Sequence, residues 1–126
     1  MNPAHLHYTE NHEWVRDDGV VCVVGVTAYT AEQLGDITIV ELPEVGMELT
    51  QNEQCGTVES VNDANDLYAP VGGRVCEVND ELEANPGLIN RSPYRDGWLF
   101  KLEDVDVSEF DALMSAAEYE AFLKAL

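Results

Sequence analysis

The side chains that could carry out chemistry are few in kind. His5, His7 and His12 gather near the N-terminus, where three imidazoles within reach of one another would suggest a metal site. No cysteine or carboxylate pattern of a metal centre accompanies them, so no metal is expected. Cys22, Cys55 and Cys76 are an odd number without C-x-x-C spacing. Each falls in an apolar, strand-like run, which suits small buried side chains better than a disulfide framework or a nucleophile. Ser60 has no base near it in the sequence. Phosphate-cradling glycine loops, the dinucleotide fingerprint, the serine-hydrolase elbow and the H-E-x-x-H zinc motif are all missing. Carboxylates are abundant, but in a chain this acidic they are expected on the solvated surface, and no pair stands out as acid and base. The residues therefore predict no catalytic group, and the chain is not expected to be an enzyme.

The charge balance narrows the classes further. There are 25 Asp plus Glu against 6 Lys plus Arg, a formal net charge of −19. Such a surface repels nucleic acid and anionic membrane, both of which select for basic patches. It suits solubility or a saline habitat, and it would steer a basic protein partner. The only lysines are Lys101 and Lys124. No stretch approaches the roughly 20 apolar residues of a membrane span, and the N-terminus lacks a basic-then-apolar leader. A cytoplasmic protein is expected. With 126 residues, 45% of them hydrophobic, the chain is predicted to fold as a single domain over 1–126.

The positioning elements read mostly as short strands. His12 to Arg16 is followed by the turn Asp17-Asp18-Gly19. Val20 to Val26 is apolar on both faces and reads as a buried strand. Ala28 to Leu34 suits a short helix between Thr27 as N-cap and Gly35 as stop. Asp36 to Leu42 returns to strand and Pro43 to Gly46 turns. Glu53 to Val61 is a further strand. Asn62-Asp63-Ala64-Asn65-Asp66, all small, polar or turn-prone, is the most obvious hairpin tip. Arg74 to Asn79 follows a Gly72-Gly73 turn. Glu81 to Asn85 suits one helical turn, Asn90 to Gly97 a loop, and Trp98 to Leu102 the last strand. Of two terminal helical pieces, Ser108 is expected to cap the first, and Ser115 with Glu118 forms a capping box for the second. There Tyr119, Phe122, Leu123 and Leu126 make an apolar stripe expected to pack on the core.

An ordered set of motifs runs through these elements. It comprises His12-Glu13-Trp14-Val15, Gly25-Val26-Thr27, Glu32-Gln33-Leu34-Gly35-Asp36 and Val40-Glu41-Leu42-Pro43-Glu44-Val45-Gly46. After these come Val58-Glu59-Ser60-Val61, Tyr68-Ala69-Pro70-Val71, Asn90, Pro93-Tyr94 and Gly97-Trp98-Leu99. Taken together, over roughly residues 8–125, the set strongly resembles the glycine cleavage system H protein, a lipoyl-carrier family. The resemblance implies a mostly β, flattened barrel-sandwich of the biotinyl/lipoyl-carrier kind. It would have two antiparallel sheets, a short internal helix and C-terminal helices.

The resemblance also implies a monomeric carrier rather than a catalyst. Its partners would be glycine decarboxylase (P protein), aminomethyltransferase (T protein), dihydrolipoyl dehydrogenase and the lipoate-attaching enzymes. A lipoyl group on a hairpin-tip lysine would shuttle between them, tethering replacing diffusion. In that pattern a lysine follows Glu-Ser-Val. Here Glu59-Ser60-Val61 is followed by Asn62. Glu59 and Gly73, which the resemblance ties to recognition by lipoate-attaching enzymes, are retained. An amide is not a nucleophile, so Asn62 cannot take up lipoate and no cofactor is expected. The expectation is a non-lipoylated paralogue with a binding or regulatory role. The alternatives are a working carrier with atypical attachment and an engineered, unmodifiable variant.

Overall fold

The computed structural model describes residues 2–126. In chain order the elements are β1 (His7–Tyr8), β2 (Glu13–Asp17), β3 (Val21–Val26), α1 (Ala28–Leu34), β4 (Ile37–Glu41), β5 (Glu48–Leu49) and β6 (Gln54–Ser60). They continue as β7 (Ala64–Tyr68), β8 (Gly73–Val78), α2 (Glu81–Ala84), α3 (Leu88–Arg91), β9 (Phe100–Glu103), a 3-10 helix (Val107–Ala112) and α4 (Ala116–Lys124). The strands form two antiparallel sheets. One has six strands in the order β1-β2-β3-β9-β8-β5, the other three in the order β4-β6-β7. This is the expected mostly β pair of sheets. Among the described residues the two ladders stay separate and do not close into one barrel.

Strand alternation explains why β3 reads as apolar on both faces. Val15, Val24 and Val26 join Val58, Leu67, Phe100 and Leu102 in the main core shared by both sheets. Their neighbours Trp14 and Val23 turn the other way and meet Leu6, Tyr8 and Tyr119 in a second cluster. Trp14 lies opposite Gly25 in the β2–β3 ladder. A Cβ on Gly25 would fall 2.4 Å from the indole, so glycine is what lets the ring lie flat on β3.

Several local expectations hold. Thr27 stands at the N-cap of α1, and Gly35 ends it with φ +75°. The Ser115–Glu118 capping box is formed at α4. Others differ, each for a tertiary reason. Thr27 does not cap with its side chain; its hydroxyl bonds Tyr119 Oη at 2.8 Å instead. The 3-10 helix is capped by Asp106, which accepts from the Ser108 N–H, and not by Ser108. Part of the stretch expected as loop is α3, where burial of Ile89 holds a single turn. Trp98 lies ahead of β9 and packs against the second cluster. In the terminal stripe Tyr119 is buried while Leu126 is exposed. The thiols are free; Cys22 is buried, and Cys55 and Cys76 are half-buried.

Candidate functional site

The β6–β7 hairpin is anchored by Val58 and Leu67, both buried in the main core. Val58 pairs with Asn65 and Glu59 with Ala64. The tip is therefore Val61–Asp63, shorter than the expected Asn62–Asp66. Ala64, Asn65 and Asp66 are paired strand, because backbone pairing on an exposed strand does not require apolar side chains. The turn is braced from within. The Ser60 N–H donates to the Asp63 carbonyl at 2.8 Å. Ser60 Oγ accepts the N–H of Asn62 at 3.3 Å and of Asp63 at 3.2 Å. Asn62 is exposed at the apex, beside Val61 at 84% exposure.

The two positions that the resemblance ties to recognition are not brought together. Glu59 is half-buried on β6, opposite Ile39 and Ala64. Gly73 opens β8 in the other sheet, paired with Leu49. A Cβ there would meet the Glu103 carbonyl at 2.7 Å, so glycine permits close β8–β9 packing.

Neither lysine lies at the tip. Lys101 Nζ on β9 sits 3.3 Å from Glu77 Oε1 and 4.9 Å from the centroid of the Trp98 ring. Lys124 is on the last turn of α4. Register places Ile39, Glu59 and Ala64 in one row of the outward face of the hairpin sheet, and Glu41, Thr57 and Asp66 in the next. No Lys or Arg occurs between Arg16 and Arg74, so the strands of this face and the tip contribute no cationic side chain.

Beneath the hairpin lies a carboxylate that the sequence reading overlooked. Glu13 is 1% exposed. It accepts from Thr9 Oγ1 at 2.6 Å and from the Tyr68 backbone N–H at 3.2 Å. Burial pushes its carboxyl up to about 7, against the pull of those two bonds. The signal was its phase: Glu13 shares a strand face with Val15, two residues on, and that face is the core.

The other candidate groups fall away on geometry. Burial pushes the Cys55 thiol up to about 12 and the Cys22 thiol up to about 11, so both remain protonated and poorly nucleophilic at neutral pH. His12 Nδ1 is 2.7 Å from Tyr119 Oη, and His7 packs edge-on against Phe110. Among the described residues no group of three His, Cys, Asp or Glu could hold a metal ion. Nor is any helix among them long and apolar enough to cross a membrane.

Residues 6–126 match the family model described as glycine cleavage H-protein. The chain is 53% identical over 122 residues to the glycine cleavage system H protein of Symbiobacterium thermophilum, covering 97% of this chain and 95% of that one. It is 49% identical over 122 residues to the protein of the same name from a Geobacillus species, covering 97% and 96%. Among solved structures it is similar to a glycine cleavage system H protein from Mycobacterium marinum. That likeness has a TM-score of 0.86 and 34% identity, and covers 99% of this chain and 100% of the other.

Proposed function

The chain belongs to the glycine cleavage H-protein family, and from that premise we propose that it is an H-protein-like module that carries no lipoate. It is a docking protein and not a catalyst, one domain over residues 1–126, acting in the cytoplasm. Its partners are the P and T proteins, dihydrolipoyl dehydrogenase or the lipoate-attaching enzymes. The role is binding or regulatory.

One observation carries the reading: Asn62 occupies the apex of the β6–β7 hairpin, where the family resemblance puts the attachment lysine. Lipoyl attachment needs an amine that can attack an activated carboxyl, and a carboxamide nitrogen has no free lone pair for that step. The residues at the tip do not fit the group. Lys101 is engaged by Glu77 and Trp98 on a strand of the other sheet, and Lys124 ends a helix. The outer face around Glu41, Glu59 and Asp66, whose strands contribute no cationic side chain, supports a docking role, since complementary charge steers partners.

A second reading has one observation in its favour: the relatives bear the name of H proteins. In that case the chain is a working carrier with lipoate on Lys101 or Lys124.

The test offers the unaltered chain and Asn62→Lys to a lipoate ligase with lipoate and ATP. The variant is expected to gain one lipoyl group at the substituted position, while the unaltered chain gains none. Lipoylation of the unaltered chain would overturn the reading. A folded variant left unmodified would show that the tip is not an acceptor site.

A further inference from the structure

The 42–46 loop and α2 enclose a groove of about 380 Å³. Its apolar walls are Val40, Leu42, Val45, Val78 and Leu82. Leu82 is buried and anchors α2, and Val40, Leu42 and Val78 are half-buried against the main core. Val45 is 60% exposed at the lip. The rim is formed by Glu44, Asp80 and Glu83, all exposed. No Lys, Arg or His lines the groove. The volume lies in the range of pockets that hold a ligand group or an inserted side chain.

We infer that this groove is a docking site for a basic, apolar-tipped segment of a glycine cleavage enzyme, one that inserts an aliphatic or aromatic side chain between two cationic ones. The inference rests on the proposed docking role and adds the surface and the chemistry of the partner.

Two features select that occupant. Half-buried apolar walls gain from an apolar side chain that removes them from water. A rim of three carboxylates without a counter-charge rejects an acidic segment and attracts lysine or arginine. Docking of a second copy of this chain would set one −19 surface against another, which like-charge repulsion opposes. None of the tip residues Val61–Asp63 lines the groove, so its walls and rim are complete without a lipoyl arm.

The test measures binding of the full chain to the P protein, the T protein and dihydrolipoyl dehydrogenase of its own host, each purified. Val45→Ser removes an apolar wall and Glu83→Lys reverses a rim charge. Both sites are exposed, and thermal melts check that the variants stay folded. Val20→Ser, at the β2–β3 turn and 88% exposed, is the control. The unaltered chain is expected to bind at least one of these enzymes. Each groove variant should weaken that binding about ten-fold or more, the control by less than about two-fold, and added salt should weaken the unaltered complex. Groove variants that bind as tightly as the unaltered chain would overturn the inference and leave the docking role standing. Binding to none of the three enzymes would overturn the assignment of the occupant. If the lipoate-attaching enzyme also fails to bind, the docking role falls with it.

Discussion

The carboxylate of Glu13 on β2 accepts the backbone N–H of Tyr68 on β7 at 3.2 Å, tying the six-stranded sheet to the hairpin sheet through one buried acid. The same acid makes stability depend on pH. Burial holds Glu13 at about 7 in the folded chain, against an ordinary value of 4.5. Between those values the folded chain keeps a proton that the unfolded chain releases. This contribution is therefore fully present below about pH 4.5 and is lost as pH rises through about 7. It amounts to about 3 kcal/mol. Glu13→Gln, which is neutral throughout, should remove it. Denaturant melts from pH 4 to 8 should show the unaltered chain losing stability relative to the variant, and parallel curves would contradict the assignment.

Gly25→Ala should destabilise by about 1–3 kcal/mol. The new methyl would fall 2.4 Å from the Trp14 ring, and that ring is fixed by its Nε1–H bond to the Pro93 carbonyl at 3.0 Å. A urea midpoint equal to that of the unaltered chain would mean that the indole has room to move.

Tyr119 fastens α4 to the body. Its hydroxyl lies 2.7 Å from His12 Nδ1 and 2.8 Å from Thr27 Oγ1, and its ring stacks on Tyr8 at 4.7 Å. Tyr119→Phe keeps the stack but strands the Thr27 hydroxyl, which is fully buried. A loss of about 1–3 kcal/mol is expected, with faster amide exchange along α4. Unchanged exchange there would show that the hydroxyl contributes nothing to docking of the helix.

The net charge of −19 predicts stabilisation by salt. Like charges crowd the folded surface more than the extended chain, and the screening length falls from about 10 Å at 0.1 M to about 3 Å at 1 M. The urea midpoint should rise between low salt and 1 M sodium chloride, whereas a flat or falling midpoint would argue that the carboxylates are spaced too widely to repel.

Local signals were readable where a residue's own chemistry decides its conformation. The valine run of β3, glycine after α1 and the Ser115–Glu118 capping box all sit where the sequence puts them. Features set by distant partners were not readable. Asn65 and Asp66 look like turn residues, yet they pair with Val58 and Thr57. Thr27 looks like a capping side chain, yet it spends its hydroxyl on a tyrosine far along the chain. At the site, an exposed Asn62 at a hairpin apex was legible. The separation of Glu59 and Gly73 into different sheets and the burial of Glu13 beneath the hairpin required the fold.

With Asn62 at the hairpin apex, the protein purified from its own host should show the unmodified intact mass by mass spectrometry. A mass raised by one lipoyl group, mapped by peptide analysis to Lys101 or Lys124, would contradict it.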